Sequence, residues 1–302
     1  MIDKIELLPV DLLNQNRSLV VELKKLASSL GLDFGWHYLL DLTWTITQLG
    51  PVENLRILDA GAGSGILQWY LAEHGAQVIS VDRFSRSLLP VRFRRRYRCQ
   101  GLRSGDLSPI SKVFINDLAG FVHRGQASGG SVAAWSGKIS GLTRDFMGLF
   151  VSPVSSGKVW IYNQDLAALS DLPDASIDAI VSISALEHNP PEDLPVVVHE
   201  LMRVLKPGSP LVATLTASAG EDRWHTPSAG WCYSGESLQR LFSLPPGTRH
   251  NYDDYERLFS ELKNCKELRE NLAGFYFKSA QNGMPWGIWD PQYMPVGVYK
   301  LK

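Results

Sequence analysis

The hydrophobic positions of this chain fall into short continuous runs that alternate with longer stretches of helical spacing. The runs end at positions 58, 81, 162, 184 and 215. Continuous apolar runs bounded by turn residues are typical of strands covered on both faces, as in a parallel sheet. Apolar positions three and four apart, clearest over Leu194–Leu205, predict helices between the runs. The alternation predicts an α/β fold with a doubly wound, mostly parallel sheet.

The first 50 residues carry two helical patterns. Apolar residues at helical spacing cover 11–30 and stop at Gly31, and a second pattern covers 36–49 and stops at Gly50. We therefore expect an N-terminal helical cap over 1–50 and one domain over 51–302. The aromatic and histidine side chains of the second helix are expected to pack in the core: Trp36, His37, Tyr38 and Trp44.

The stretch 55–65 organises the rest of the chain. An apolar strand stops at Asp59, and the chain then turns through Gly61, Gly63 and Gly65. Glycines suit a strand-to-helix turn that passes close to a ligand, because a Cβ would block the approach. A second strand ends on Asp82, about 20 residues past the glycines, where nucleoside-binding folds place an acid for the ribose hydroxyls.

The residues of this turn favour one nucleoside cofactor over another. A dinucleotide fingerprint needs a third glycine where Ile66 stands, and Asp59 would repel a pyrophosphate. The acid followed by three alternating glycines resembles motif I of the class I S-adenosylmethionine methyltransferases, in which the loop lies against an amino-acid moiety. A nicotinamide oxidoreductase is therefore the last of the alternatives.

Later segments resemble the same family in the same order. An Asp165-Leu166 pair follows the third apolar run, the phrase 177–188 is similar to motif IV of the small-molecule branch, and 203–208 is similar to a structural turn. Asn189-Pro-Pro resembles an amine-methylation box but starts too late and lacks the aromatic residue. The chain is identified as a member of this family, which implies a seven-stranded sheet whose final strand, here 294–301, inserts antiparallel.

The resemblance implies a set of cofactor-binding residues for S-adenosylmethionine and its product S-adenosylhomocysteine. They are Asp59, Ala60, Gly61, Gly63, Gly65, Asp82, Arg83, Asp165, Leu166 and Ser184. Asp59 is placed near the amino-acid end and Asp165 near adenine. Asp165 is equally suited to cap a helix, and the two roles are compatible.

The catalytic candidates follow from what a methyl-transfer enzyme must do. It has to hold an acceptor in line and remove a proton when the acceptor is a hydroxyl. His188 is the first candidate base and His225 the second, with Glu187 beside the former; each histidine can instead be structural. Aromatic residues toward the C-terminus either line an acceptor pocket or pack a loop: Trp224, Trp231, Trp286, Trp289 and Tyr293.

Two segments carry open interpretations. The arginine-rich stretch 83–103, including Arg92–Arg98, either contacts phosphate groups, an anionic membrane surface or RNA, or forms the solvated face of a helix.

The stretch 104–158 lacks periodicity and is too long for an ordinary crossover. We expect an insertion between the second and third strands, with helices at 110–121 and 142–150, that acts as an acceptor lid. The segment 220–302 is expected to be an acceptor-side extension.

Composition limits the classes of function. The 302 residues carry a net charge of −1, which favours no nucleic-acid partner. Three separated cysteines, Cys99, Cys232 and Cys265, argue against a zinc site or a disulfide framework, and no apolar segment is long enough to span a bilayer. We expect a soluble cytoplasmic enzyme without a metal.

The leading interpretation is methyl transfer to an oxygen of a small-molecule, saccharide or lipid-linked acceptor. One alternative is an RNA or protein methyltransferase that uses the arginine-rich stretch, and another is a non-catalytic protein that keeps the fold. The intact glycines and acids count against the non-catalytic alternative.

Overall fold

The computed structural model describes residues 2–116, 152–153, 156–272, 284 and 288–302, and all elements below belong to these ranges. The strands are β1 (Lys4–Leu7), β2 (Arg56–Ala60), β3 (Gln77–Asp82), β4 (Gln100–Gly101), β5 (Lys158–Asn163), β6 (Ala179–Ile183), β7 (Pro210–Ala217), β8 (Arg223–His225), β9 (Gly230–Tyr233) and β10 (Met294–Leu301). The helices are α1 (Asp11–Gln15), α2 (Arg17–Leu30), α3 (Tyr38–Leu49), α4 (Leu67–Glu73), α5 (Val91–Arg96), α6 (Leu194–Val204), α7 (Gly235–Leu241), α8 (Tyr255–Lys263) and α9 (Lys266–Glu270).

One mixed sheet runs through the described residues in the order β1-β10-β7-β6-β2-β3-β5-β4, and β9 joins β7 to β8. The strands from β4 to β7 in this path are parallel to their neighbours, whereas β10 is antiparallel to β7 and β1. The predicted α/β fold and antiparallel final strand are confirmed. Among the described residues the sheet has ten strands, not seven, because the short strands β4, β8 and β9 extend it.

Strand β2 occupies the middle of the sheet, between β3 and β6. Its neighbours on both sides are buried along most of their length, as the continuous apolar runs predicted. The chain continues from β2 to β3 on one side and from β6 to β7 on the other, so the carboxyl end of β2 is the topological switch point of the sheet. Ligands of open α/β sheets bind at such a point.

The N-terminal segment contributes both helices and a strand. The predicted helices over 11–30 and 36–49 are present as α1 with α2 and as α3. The sequence interpretation missed β1, whose Ile5 and Leu7 are buried while Lys4 and Glu6 are half-buried. Strand β1 pairs with β10 at the edge of the sheet, and α3 packs against β6, β7 and β10. The division at residue 50 stays a prediction.

The segment between β3 and β5 contains the expected insertion. It begins with α5 and β4, and residues 110–116 are helical. The remainder of the predicted helix 110–121 and all of the predicted helix 142–150 lie outside the described residues. The lid hypothesis stays a prediction.

Candidate active site

The glycine turn lies at the carboxyl end of β2 and is held by its neighbours. Gly61 and Gly63 adopt left-handed φ angles of 73° and 48°. The Gly61 N–H donates to the carbonyl of Val81 at 3.0 Å, and a Cβ on Gly61 would lie 2.4 Å from that of Ala185. A side chain at 61 would therefore collide with the end of β6. The turn needs glycine for its backbone angle and for this approach.

Asp82 closes the turn from the end of β3. Its Oδ2 accepts the N–H of Gly63 and its Oδ1 the N–H of Phe84, both at 2.8 Å. A carboxylate offers about four acceptor positions, so each oxygen retains one for a ligand hydroxyl. The side chain is nearly buried, which strengthens such a bond. This arrangement fits the ribose of S-adenosylmethionine.

Asp59 lies in β2 just before the turn and is 2% exposed. Burial raises its pKa to about 7; Arg86 opposes the rise and Asp82 adds to it. The carboxyl group is therefore poised to exchange a proton near neutral pH. Whether it faces the amino-acid end of the cofactor stays a prediction.

A buried polar network supports the turn from below and was missed from sequence. The Arg86 guanidinium donates to the carbonyl of Gly63 at 3.2 Å and to the carbonyl and hydroxyl of Ser80. Gln68 donates to the carbonyl of Gly65 at 3.0 Å and accepts from the Ser80 hydroxyl at 2.6 Å. The available signal was polar residues inside apolar patterns, Ser80 in a strand and Gln68 in a helix. These bonds fix the direction of the turn's carbonyls.

The predicted adenine-side residues lie past β5. The N–H of Gln164 donates to the carbonyl of Asp82 at 2.9 Å, which brings this segment to the glycine turn. Asp165 is exposed, and its Oδ1 accepts the N–H of Ala167 at 2.9 Å. The predicted helix cap is wrong, because a turn follows Asp165 rather than a helix. Leu166 packs partly buried against the core, and Arg83 is exposed over the ring of Phe84.

The carboxyl end of β6 brings Ser184 and Glu187 together. Ser184 has a left-handed φ of 47°, and its hydroxyl donates to Glu187 Oε1 at 2.5 Å. Glu187 is 2% exposed, and its Oε2 has no hydrogen-bond partner among the described residues. Burial raises the pKa of Glu187, opposed by His188, the Ser184 hydroxyl and His37. Strained backbone and an unpaired buried oxygen are typical of a functional site.

The two predicted bases have different surroundings. His188 is exposed, and its Nδ1 donates to the carbonyl of Ala229 at 2.8 Å. His225 is buried, hydrogen-bonded to the Ser228 hydroxyl at 2.7 Å, and its ring lies 5.1 Å from that of Tyr293. Burial, aided by Arg223, lowers the pKa of His225 and so favours its neutral form. Their catalytic roles stay predictions.

A third histidine lies on the same side of the sheet. Nδ1 of His37 is 2.6 Å from Oδ2 of Asp41, and both side chains are buried. The His37 ring contacts that of Tyr293 at 5.7 Å, and Tyr293 also contacts His225. Core packing of His37 was expected, and the side chain is buried; the acidic residue four positions later was the available sequence signal for the pair with Asp41. We call His37, Asp41, Glu187, His225 and Tyr293 the acceptor-side cluster.

The remaining aromatic candidates divide into two groups. Trp289 lies 5.8 Å from Trp36, which donates from its indole to the Tyr293 hydroxyl at 3.3 Å. Trp224 is 45% exposed and contacts Trp231 at 5.7 Å. Trp286 lies outside the described residues. The structure thus brings Trp289 and Tyr293 to the start of α3.

The arginine-rich stretch is partly used inside the protein. Arg94 is 8% exposed and donates to the carbonyls of Ser87, Leu89 and Ser108. Arg96 pairs with Glu73 at 2.8 Å. The expectation of a wholly solvated face is therefore wrong for Arg94, and these bonds leave fewer free cations for a phosphate surface.

No helix in the described ranges combines the length and apolar character needed to cross a bilayer.

Comparison with known proteins finds a partial sequence similarity and several structural similarities. A stretch of 49 residues is 43% identical to a ubiquinone biosynthesis O-methyltransferase of Leptothrix cholodnii; it covers 16% of this chain and 21% of that protein. The chain thus aligns with about a fifth of this curated relative. The [4+2]-cyclase SpnF gives a TM-score of 0.47 at 17% identity, covering 99% of this chain and 98% of that one.

A second solved structure is 1,6-didemethyltoxoflavin-N1-methyltransferase of Burkholderia thailandensis with bound S-adenosylhomocysteine. Its TM-score is 0.42 at 13% identity, and the overlay covers 87% of this chain and 77% of that one. With TM-scores below 0.5, neither overlay supports a statement about activity.

A family model described as a methyltransferase domain matches residues 37–248. The span begins at His37 and includes the glycine turn, Asp82 and Glu187. Because the match covers more than half of the chain, the chain belongs to this methyltransferase-domain family.

Proposed function

We propose that this enzyme transfers the methyl group to an oxygen of a small-molecule acceptor. The observation that carries the proposal is the acceptor-side cluster, in which His37, Glu187 and His225 are buried side chains able to accept a proton. Ala185 contacts Gly61, and Glu187 follows two residues later. Groups as enclosed as His37 (3% exposed) and Glu187 (2% exposed) suit a small acceptor better than the surface of a polymer. The similarity of a 49-residue stretch to a ubiquinone biosynthesis O-methyltransferase is consistent with oxygen as the target.

The cofactor would be held by residues already described. Asp82 offers its free carboxylate positions to the ribose hydroxyls, and the glycine turn leaves room for the rest of the molecule. When bound, S-adenosylmethionine supplies a methyl group on a positively charged sulfur, so the group needs no further activation. Asp59, Gly65, Asp165, Leu166 and the other cofactor residues expected from sequence are part of this proposal.

The chain has to position the acceptor and accept its proton. The buried cluster would exclude water and restrict the acceptor's orientation, which lowers the entropic cost of reaching the reactive arrangement. Three histidines, His37, His188 and His225, lie on this side, and each has Nδ1 in a hydrogen bond. A neutral imidazole with a free Nε2 is suited to receive a proton near neutral pH.

Calorimetric titration tests the cofactor half of the proposal. We expect micromolar binding of S-adenosylhomocysteine and no binding of NADH. Asp82→Ala should weaken S-adenosylhomocysteine binding by more than about tenfold, because hydrogen bonds to a charged acceptor contribute about 1.5–3 kcal/mol. The exposed Asp253 supplies the control, and Asp253→Ala should bind like the wild type. Equal affinity of the Asp82 variant would contradict the assignment, and binding of neither ligand would favour a non-catalytic role.

Transfer of labelled methyl from S-adenosylmethionine tests the acceptor half. The probes are catechol, a simple sugar and aniline at matched concentrations, with short RNA as the polymer probe. Methylation of catechol supports an oxygen-directed small-molecule enzyme. Methylation confined to aniline would contradict oxygen, and methylation confined to RNA, with steep salt dependence, would favour the polymer alternative.

A further inference from the structure

His37 and Asp41 form a buried pair at the start of α3. His37 precedes the first helical residue, and Asp41 lies one turn later, with Nδ1 and Oδ2 2.6 Å apart. The side chains are 3% and 0% exposed. A carboxylate that accepts from Nδ1 fixes the proton on that nitrogen and leaves the lone pair on Nε2. Nε2 of His37 has no hydrogen bond to the described part of the chain.

The pair faces the reacting side of the molecule. His37 interacts electrostatically with Glu187 and contacts the ring of Tyr293, so the ionisable groups around it are Asp41, Glu187, Tyr38 and Tyr293. Glu187 lies four residues past the end of β6 and two residues past Ala185, which touches the glycine turn.

Two carboxylate oxygens of the acceptor-side cluster have no hydrogen-bond partner in the described part of the chain. Glu187 Oε2 and Asp41 Oδ1 are buried without a hydrogen bond among the described residues. A buried polar atom left unpaired costs about 1–3 kcal/mol, so such atoms are expected where a ligand supplies the missing donor. The two unpaired oxygens therefore indicate a ligand that carries hydroxyl or amine hydrogens.

We propose that His37, oriented by Asp41, is the general base for the acceptor hydroxyl, and that Glu187 Oε2 accepts a hydrogen bond from a second donor of the same acceptor. This inference rests on the proposed function. The acceptor class is then a small diol or catechol-like molecule.

The proton and electron balance is simple. The acceptor O–H bond breaks, and its proton moves to Nε2 of His37. The oxygen's electron pair forms the new bond to the methyl carbon, whose bond to sulfur breaks with its pair retained on sulfur. The imidazolium, stabilised by the Asp41 carboxylate, then returns its proton to water.

The other two histidines lack this combination. His188 is exposed, and its Nδ1 is bonded to a neutral carbonyl rather than to a carboxylate, so no carboxylate fixes the proton on this nitrogen. His225 is bonded to a neutral hydroxyl, and the nearby Arg223 opposes its protonation. A base needs a neutral resting form and a stabilised charged form, and the pair with Asp41 offers both.

The test compares the two forms of the cofactor on the unmodified protein. Protein labelled with ¹⁵N-histidine is saturated with S-adenosylhomocysteine or S-adenosylmethionine, and the histidine nitrogens are followed by NMR across pH. The two ligands differ by the methyl group and its positive charge. A positive charge near the imidazole perturbs its nitrogens, so the His37 nitrogen resonances at pH 7 should differ between the S-adenosylmethionine and S-adenosylhomocysteine complexes.

Assignments and controls come from single variants. His37→Gln removes the His37 signals, and the resonances of the exposed His250 should be identical with both ligands. In the wild type we expect a protonated Nδ1 and a bare Nε2 on His37. Asp41→Asn should reverse this tautomer and, with catechol as acceptor, lower the turnover number more than KM.

Each other outcome would overturn the assignment. Equal His37 resonances with both ligands, with a change at His188 or His225 instead, would transfer the role of base to that residue. A proton on Nε2 in the wild type would exclude His37 as a base. Failure of the wild type to bind either cofactor would refute the proposed function, and this inference would fall with it.

Discussion

Glu187 is a carboxylic acid whose two oxygens have unequal surroundings. One accepts from Ser184, and the other is buried without a partner. Burial raises its pKa, so the folded protein retains the proton to a higher pH than the unfolded chain does. The unfolded state therefore binds fewer protons above the ordinary glutamate value of about 4.3, and stability falls as pH rises from there.

Replacing Glu187 by its neutral amide should remove this loss of stability at higher pH. We expect Glu187→Gln to raise the melting temperature at pH 7 and to have a smaller effect at pH 4.5, with a gain of about 1–3 kcal/mol at neutral pH. Glu192→Gln, at an exposed site close in sequence, is the control and should change little at either pH. Scanning calorimetry at both pH values measures these melting temperatures. A Glu187→Gln variant that is less stable at both pH values would show that loss of the Ser184 hydrogen bond outweighs removal of the buried acid.

At the scale of elements, the glycine turn depends on the segment that follows β3. Arg86 reaches back from this segment to the carbonyl of Gly63, and its guanidinium is largely removed from solvent. The arginine-rich stretch thus contains at least one side chain that shapes the cofactor turn. In contrast, the side chain of Arg95 in the same stretch is exposed to solvent.

A matched pair of variants separates these two kinds of arginine. Arg86→Met should weaken S-adenosylhomocysteine binding at least several-fold and lower the melting temperature, because the carbonyls of Gly63 and Ser80 lose their donor. Arg95→Met, with the same loss of charge on the surface, should leave both quantities unchanged. Calorimetric affinity for each variant provides the measurement, and equal losses would indicate a general charge effect rather than support of the turn.

At the scale of the whole molecule, β1 ties the first residues of the chain to β10. Leu7 is fully buried, whereas Ile2, five residues earlier, is 84% exposed. Leu7→Ala should therefore destabilise the protein by about 2–5 kcal/mol, from lost burial and a residual cavity. Ile2→Ala should be close to neutral. Chemical denaturation of both variants tests this, and a neutral Leu7→Ala would mean that the edge strand contributes little to stability.

The sequence was sufficient for the centre of the fold. Uninterrupted apolar runs and the acids that end them are local patterns, so β2, β3, β6 and β7 and the positions of Asp59 and Asp82 could be predicted. Strand β1 is only four residues long, and its pairing with β10 is a long-range contact. Short strands of this kind are specified by the sheet they join.

The acceptor-side cluster could not be assembled from sequence for a related reason. His37 and Glu187 are 150 positions apart in the sequence, and they belong to one site because α3, which begins just after His37, packs against β6 and β7. The unpaired oxygen of Glu187 depends on which side chains surround it, and no local pattern encodes that. The motif resemblance located His188 and Glu187 but gave no reason to select His37.

The pairing of β1 with β10 also sets the order of events during synthesis on the ribosome. Lys4 pairs with Tyr299, and β10 lies between β1 and β7. Strand β1 therefore leaves the exit tunnel roughly 295 residues, about 15–60 seconds at ordinary elongation rates, before its partner exists. Once β7 has been synthesised, the edge that β10 later covers stays open until β10 follows, and chaperones or another nascent chain are free to occupy it.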